Sequence, residues 1–101
     1  MIELLCSYNS DYHGNFIKEL QQVLLNYPDV KSTFQDAKYS DTRKKAFQIK
    51  NKFGATIDPF IGIKVDDEFK KGFYSEANEC NINNIKNYLD EICWGLFGLF
   101  R

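Results

Sequence analysis

The side chains able to do covalent chemistry are few, and they are scattered. Cysteines stand at positions 6, 80 and 93, and the single histidine is His13. A nucleophilic thiol needs a neighbouring cation or a helix N-terminus to stabilise its thiolate. Cys6 lies in the apolar run Ile2-Glu3-Leu4-Leu5-Cys6-Ser7-Tyr8, and Cys93 falls on the apolar face of a helical pattern. In both places a free cysteine is expected to act as a small core hydrophobe. Cys80 follows the polar stretch Ser75-Glu76-Ala77-Asn78-Glu79, a setting that allows exposure, but Glu76 and Glu79 would raise its pKa rather than lower it. His13, beside Asp11 and Tyr12, is near a helix start, where the positive end of the dipole disfavours protonation. A neutral imidazole there can bind a partner or relay a proton; the plainer expectation is a surface polar residue.

Other chemistries find no matching pattern. One histidine and three dispersed cysteines fit no zinc spacing, so neither a metal nor a cofactor is expected. No glycine-rich phosphate loop, Ser/His/Asp order or paired-carboxylate motif is present. Arg43, Lys44, Lys45, Lys50 and Lys52 could meet phosphate, yet they spread around the outer face of an amphipathic helix and are expected to be solvated. A net charge of −1 gives no general attraction to nucleic acid or to an anionic membrane.

The 101 residues, 44% apolar with nine Phe and six Tyr, suffice for one domain with a real core, 1–101. No stretch reaches the length of a membrane span, and Met1–Cys6 lacks the basic and apolar regions of a signal peptide. An odd number of cysteines without framework spacing suits a reducing, cytoplasmic setting.

The elements that must position these residues follow from periodicity. Ile2–Tyr8 is expected to be a strand, and Asn9–Gly14 a loop rich in capping residues. Phe16, Ile17, Leu20, Val23, Leu24 and Tyr27 have helical spacing, which Pro28 ends. Val30–Ala37 reads as a second strand. A helix capped by Ser40 or Asp41 carries Ala46, Ile49 and Phe53 on its stripe, with Phe47 beside it, and Gly54 closes it. Phe60–Val65 is apolar enough to be a central strand; Asp66-Asp67-Glu68 turns it into a partner at Phe69–Tyr74. Asn81 caps a last helix with Ile82, Ile85, Leu89, Ile92 and Cys93 on one face. Gly95 and Gly98 then interrupt an apolar tail at 95–101.

This order is β-α-β-α-β-β-α, a four-stranded mixed sheet with helices on both faces, and its crossovers imply parallel neighbours. With Thr56-Ile57-Asp58-Pro59-Phe60 opening the third strand and Gly72-Phe73 in the fourth, it resembles the thioredoxin superfamily, both thioredoxins and glutaredoxins. The resemblance implies a cis-proline loop at Pro59 facing the first helix. It also implies that Ser10-Asp11-Tyr12-His13 stands where the family carries Cys-x-x-Cys, so the redox motif is missing. A serine cannot supply the attacking thiolate of disulfide exchange.

What the resemblance leaves is a binding surface. Ile57, Asp58 and Pro59 would present backbone to an extended peptide, to a protein or to glutathione, flanked by Tyr8, Tyr12 and His13. The expected function is therefore a redox-inactive interaction module. One alternative is a thiol oxidoreductase or glutathione-dependent transferase using Cys6 or Cys80, which one fast-alkylating cysteine would reveal. Another is a viral or mobile-element assembly protein, hinted at by the Asn/Lys bias and small size. Leu96, Phe97, Leu99 and Phe100, four large apolar residues so close together, would make a patch that is expected either to fold back on the sheet or, the favoured alternative, to bury against a second subunit in a homodimer.

Overall fold

The computed structural model describes residues 1–74 and 80–97. Alternation in Ile2–Tyr8 (β1) sends Ile2, Leu4 and Cys6 to one face of a sheet and Leu5 and Ser7 to the other. β1 pairs in parallel with Val30–Asp36 (β2) and antiparallel with Phe60–Val65 (β3); β3 pairs antiparallel with Glu68–Tyr74 (β4). The strand order is β2-β1-β3-β4. Among the described strands one neighbouring pair is parallel, so the crossover into β3 does not extend the parallel run that the element order implies. The chain after the second helix enters β3 from the end at which β1 finishes, pairing Ser7 with Phe60.

Among the described residues, three helices cover the sheet. Ser10–Leu24 (α1) and Ile82–Phe97 (α3) pack Ile17, Leu20, Ile85 and Leu89 against Leu4, Cys6, Ile61, Ile63 and Phe73. Ser40–Lys52 (α2) lies on the opposite face, where Ile49, Ala55 and Phe60 are buried with Leu5, Phe53 and Tyr74 beside them. Tyr27 donates a short hydrogen bond to the Asp90 carboxylate, joining the segment after α1 to α3.

Several boundaries differ from the sequence expectation for local reasons. The expected Asn9–Gly14 loop is mostly helix: Asn9 is the N-cap, its side-chain oxygen accepts from the Asp11 amide at 2.9 Å, and α1 starts at Ser10. Its end tightens into i→i−3 bonds, Leu25 to Gln22 and Tyr27 to Leu24, so the regular helix stops before Tyr27. Tyr39, not Ser40 or Asp41, is the N-cap of α2 and gives no side-chain cap; the Thr42 hydroxyl bonds the Asp36 carbonyl instead. Phe47, expected beside the stripe, is exposed. The β3–β4 turn is two residues, Asp66 and Asp67, both at positive φ (51° and 68°), which lets β4 begin at Glu68. α3 runs through Gly95 to Phe97. Leu99 and Phe100, and the side-chain surroundings of Leu96 and Phe97, lie outside the described residues, as does the stretch 75–79.

Two glycines are required where they stand. Gly54 (φ 72°) follows the α2 C-cap, and the bonds Gly54 N to Asn51 O and Ala55 N to Lys50 O close the helix as a Schellman motif. Gly62 lies under the Phe53 ring, where a Cβ would come within 2.4 Å of a ring carbon. That contact seats Phe53 between Phe60 and Phe69, with centroids 5.1 and 4.5 Å away.

Candidate functional site

The ends of β1 and β2, the first turn of α1 and the loop into β3 meet at one edge of the domain. The loop contains a cis peptide bond at Asp58–Pro59. Asp58 turns its carboxylate inward: Oδ1 accepts from the Ser7 hydroxyl at 2.6 Å, and Oδ2 lies 3.2 Å from the Lys50 ammonium. Ser7 is fully buried, and the Lys50 side chain is only 12% exposed. Lys50 is thus drawn from the expected solvated face of α2 into an internal ion pair; the other exposed cations of that helix remain at the surface, with Arg43 bonded to the carbonyls of Ala37 and Lys38. No hydrogen bond engages the main chain of Ile57 or Asp58 among the described residues. Beside them a cavity of about 230 Å³ is lined by Gly54, Ala55, Thr56, Ile57 and Tyr74.

The amide donors of the first turn of α1 are satisfied by side chains, one from the helix cap and one from the end of β2. An unoccupied helix N-terminus offers orphan N–H groups and a positive partial charge, suited to an anion or a thiolate. Here Asn9 takes the Asp11 amide, while an Asp36 carboxylate oxygen takes the Ser10 amide at 3.1 Å and the Lys38 amide at 2.9 Å. Burial alone would raise the Asp36 pKa. Hydrogen bonds from the Ser10 hydroxyl and from the Lys38 and Ser10 amides outweigh it and hold the carboxyl below the usual carboxylate range. Lys38 also pairs with Asp11 at 2.8 Å, closing a ring of charge over the helix start.

The candidate residues separate into three groups. Tyr12 is 81% exposed at the head of α1, with its ring 6.2 Å from that of His13. His13 is half-buried, and its Nδ1 accepts from the Asn9 amide at 3.2 Å, so a neutral ring carries its proton on Nε2. Tyr8 is half-buried and packs edge-on against Phe34, so it supports the rim more than it forms it. The loop residues Ile57, Asp58 and Pro59 are adjacent to one another, with Pro59 buried.

The thiols form the third group, and burial sets all of them. Cys6 is fully buried, and its pKa is pushed well up by burial first and by the charges of Cys80 and Asp58 second. Cys80 is half-buried against the core rather than exposed, and burial pushes its thiol up to about 12. The glutamates expected to raise it lie outside the described residues. Cys93 packs against the core and is raised as well, mainly by burial. No described group of three His, Cys, Asp or Glu side chains could hold a metal ion, and no described helix is long and apolar enough to cross a membrane.

What the sequence did not point to is the role of Ser7, Lys50 and Asp36. Each looks unremarkable in its own stretch; only the fold brings Ser7 and Lys50 to Asp58, and Asp36 to the head of α1. The acidic residue directly before Pro59 was the one local signal, since a carboxylate at an otherwise apolar strand entry needs a partner.

No protein-family model matches the chain, and no curated protein matches it. Solved structures do. A designed protein, 20% identical, superposes with a TM-score of 0.68 over 91% of this chain and 80% of its own. Thioredoxin O2 from Arabidopsis thaliana, in its oxidized state, is 12% identical, with a TM-score of 0.68 over 90% of this chain and 74% of that one. At these identities the likeness is one of fold: the chain has a thioredoxin-like α/β architecture.

Proposed function

We propose that this thioredoxin-like domain is a binding module that receives an extended peptide segment of a protein partner at the Ile57–Pro59 loop and does no thiol–disulfide exchange. The observation that carries the reading is the loop itself: its side-chain carboxylate is tied into the interior by Ser7 and Lys50, while its main chain is unengaged. An unpaired, anchored main chain is what strand addition requires of a receptor. The neighbouring cavity, at about 230 Å³, is smaller than the clefts that enclose free small ligands but has room for one peptide side chain. Tyr12, exposed and with only two side-chain torsions to fix, is a side chain that such a segment could order at low entropic cost.

The thiol alternative has less support. In the proposed alignment Ser10-Asp11-Tyr12-His13 stands where the superfamily has Cys-x-x-Cys, and the helix terminus that would activate a thiolate already holds the Asp36 carboxylate. The remaining thiols are raised by burial, away from the range in which a thiolate attacks at neutral pH.

The test is an amide-shift titration of ¹⁵N-labelled protein with a degenerate pool of extended peptides, with glutathione as a separate arm. The reading expects peptide-dependent shifts at the Ile57 and Asp58 amides and at Tyr12. Shifts with glutathione alone would move the ligand to a small thiol tripeptide. Turnover in an insulin-reduction or glutathione mixed-disulfide assay that vanishes in Cys6→Ser or Cys80→Ser would replace the reading with an enzymatic one.

A further inference from the structure

The two edges of the sheet are protected very differently. β4 carries Lys70, Lys71 and Glu68, and its pairing with β3 is broken by a register shift at Ile63/Lys64. Lysines and bulges of that kind keep an exposed edge from recruiting another strand. β2 has seven regular residues, Val30-Lys31-Ser32-Thr33-Phe34-Gln35-Asp36, with no proline, no register shift and a single lysine. Among the described residues nothing pairs with its outer side. The Ala37 amide donates to the Tyr8 carbonyl, so by alternation the main-chain groups of Gln35, Thr33 and Lys31 face β1. Those of Ser32 and Phe34 point outward.

Along this edge runs a groove of about 470 Å³, whose apolar lining includes Leu24, Leu25, Tyr27, Val30 and Phe34; Leu25 is 74% exposed. An unpaired strand and an apolar groove side by side are the two halves of a strand-addition site, one giving main-chain bonds and the other side-chain burial.

We propose that the occupant is a second copy of this chain, the two β2 strands pairing antiparallel about Thr33 to make one continuous eight-stranded sheet. The strand is complementary to itself in that arrangement. Ser32 of each copy comes opposite Phe34 of the other, which makes the outward-facing groups a hydrogen-bonded pair and sets a large side chain against a small one. Thr33 meets its own copy, a favourable cross-strand pair. Charge agrees as well: the Lys31 end of one strand meets the Gln35–Asp36 end of its partner, so no like charges are opposed. A parallel or shifted pairing of two copies loses this match.

Sedimentation velocity and light scattering at millimolar concentration test it. The wild type is expected at twice its 11.8 kDa chain mass. Ser32→Pro removes an outward amide without touching the ladder to β1, and Thr33→Lys sets two ammonium groups face to face. Both are expected to be monomers with unchanged far-UV circular dichroism. In a Cys80→Ser, Cys93→Ser background, Thr33→Cys is expected to cross-link to a covalent dimer under mild oxidation, a gain-of-signal check that does not depend on breaking the seam. A monomeric wild type, a dimer that survives both folded substitutions, or the absence of that cross-link overturns the proposal. None of these changes lies in the Ile57–Pro59 loop, so peptide binding can fail or succeed independently.

Discussion

Replacing Asp58 with alanine is the sharpest perturbation of the candidate site, because two interior groups depend on its carboxylate. Ser7 is fully buried, and its hydroxyl would lose the 2.6 Å bond to Asp58. A buried hydroxyl left without a partner costs about 1–3 kcal/mol. The Lys50 ammonium, on a side chain 12% exposed, would lose its 3.2 Å partner while keeping partial contact with water, which adds about 1–2 kcal/mol. Asp58→Ala should therefore cost about 2–5 kcal/mol, or about 10–40 °C in Tm at the scale of a domain this size. Ser7→Ala should cost about 1 kcal/mol, since the carboxylate keeps Lys50. The double variant removes the orphaned hydroxyl along with its partner, so it should be more stable than the sum of the singles by about 1 kcal/mol. Urea unfolding of the four proteins closes the cycle. Additivity to within about 0.5 kcal/mol would mean that Ser7 and Asp58 do not interact and would refute the anchored-loop argument.

Three further outcomes are expected. Gly62→Ala should destabilise by about 1–3 kcal/mol, because the new methyl would lie 2.4–2.9 Å from ring carbons of a Phe53 wedged between two other rings. Phe53→Leu in that background should recover part of the loss, as urea midpoints would show, and no recovery would place the clash elsewhere. Asp36→Asn should cost about 0.3–1 kcal/mol at neutral pH through the weakened interaction with the α1 terminus. Because the folded carboxyl is held below its ordinary value, its contribution is present above the usual carboxylate range and is lost as pH falls through the folded pKa; the gap between wild type and variant should therefore close on acidification. Native alkylation at pH 8 should leave Cys6 unlabelled and Cys80 slow while the unfolded chain labels fully, and one fast native cysteine would revive the thiol-enzyme reading.

The element order was legible because its signals are local. Alternation in Ile2–Tyr8, helical spacing from Phe16 to Leu24, Gly54 after a helix and Asn81 before one each follow from a few neighbouring residues. Asn81 accepts from the Asn84 amide at 2.8 Å, a cap its position already indicates. The start of α1 was harder to read, since Asn, Ser and Asp are residues of turns and of helix first turns alike. The direction of β3 relative to β1 was not legible from a crossover alone. Lys50 shows the limit most plainly: on its helix it is one of several cations, and only the long-range approach of Asp58 makes it an interior group.

The same long-range logic decides what occupies the head of α1. A helix N-terminus at the end of a central strand is an electrostatic feature that something must satisfy. In this chain Asp36, the last residue of β2, satisfies it by accepting the amides of Ser10 and Lys38, and Lys38 returns a charge to Asp11. The Ser10 hydroxyl and the Lys38 and Ser10 amides, against the opposing effect of burial, hold this carboxyl below its ordinary range and tie β2 to the head of α1. Asp58 makes the complementary arrangement across the corner: its charge is neutralised inward by Lys50, leaving the adjoining main chain as the unsatisfied feature. The corner thus combines an unengaged main chain at Ile57 and Asp58 with an exposed Tyr12 at the head of α1, the two features on which the proposed peptide site rests.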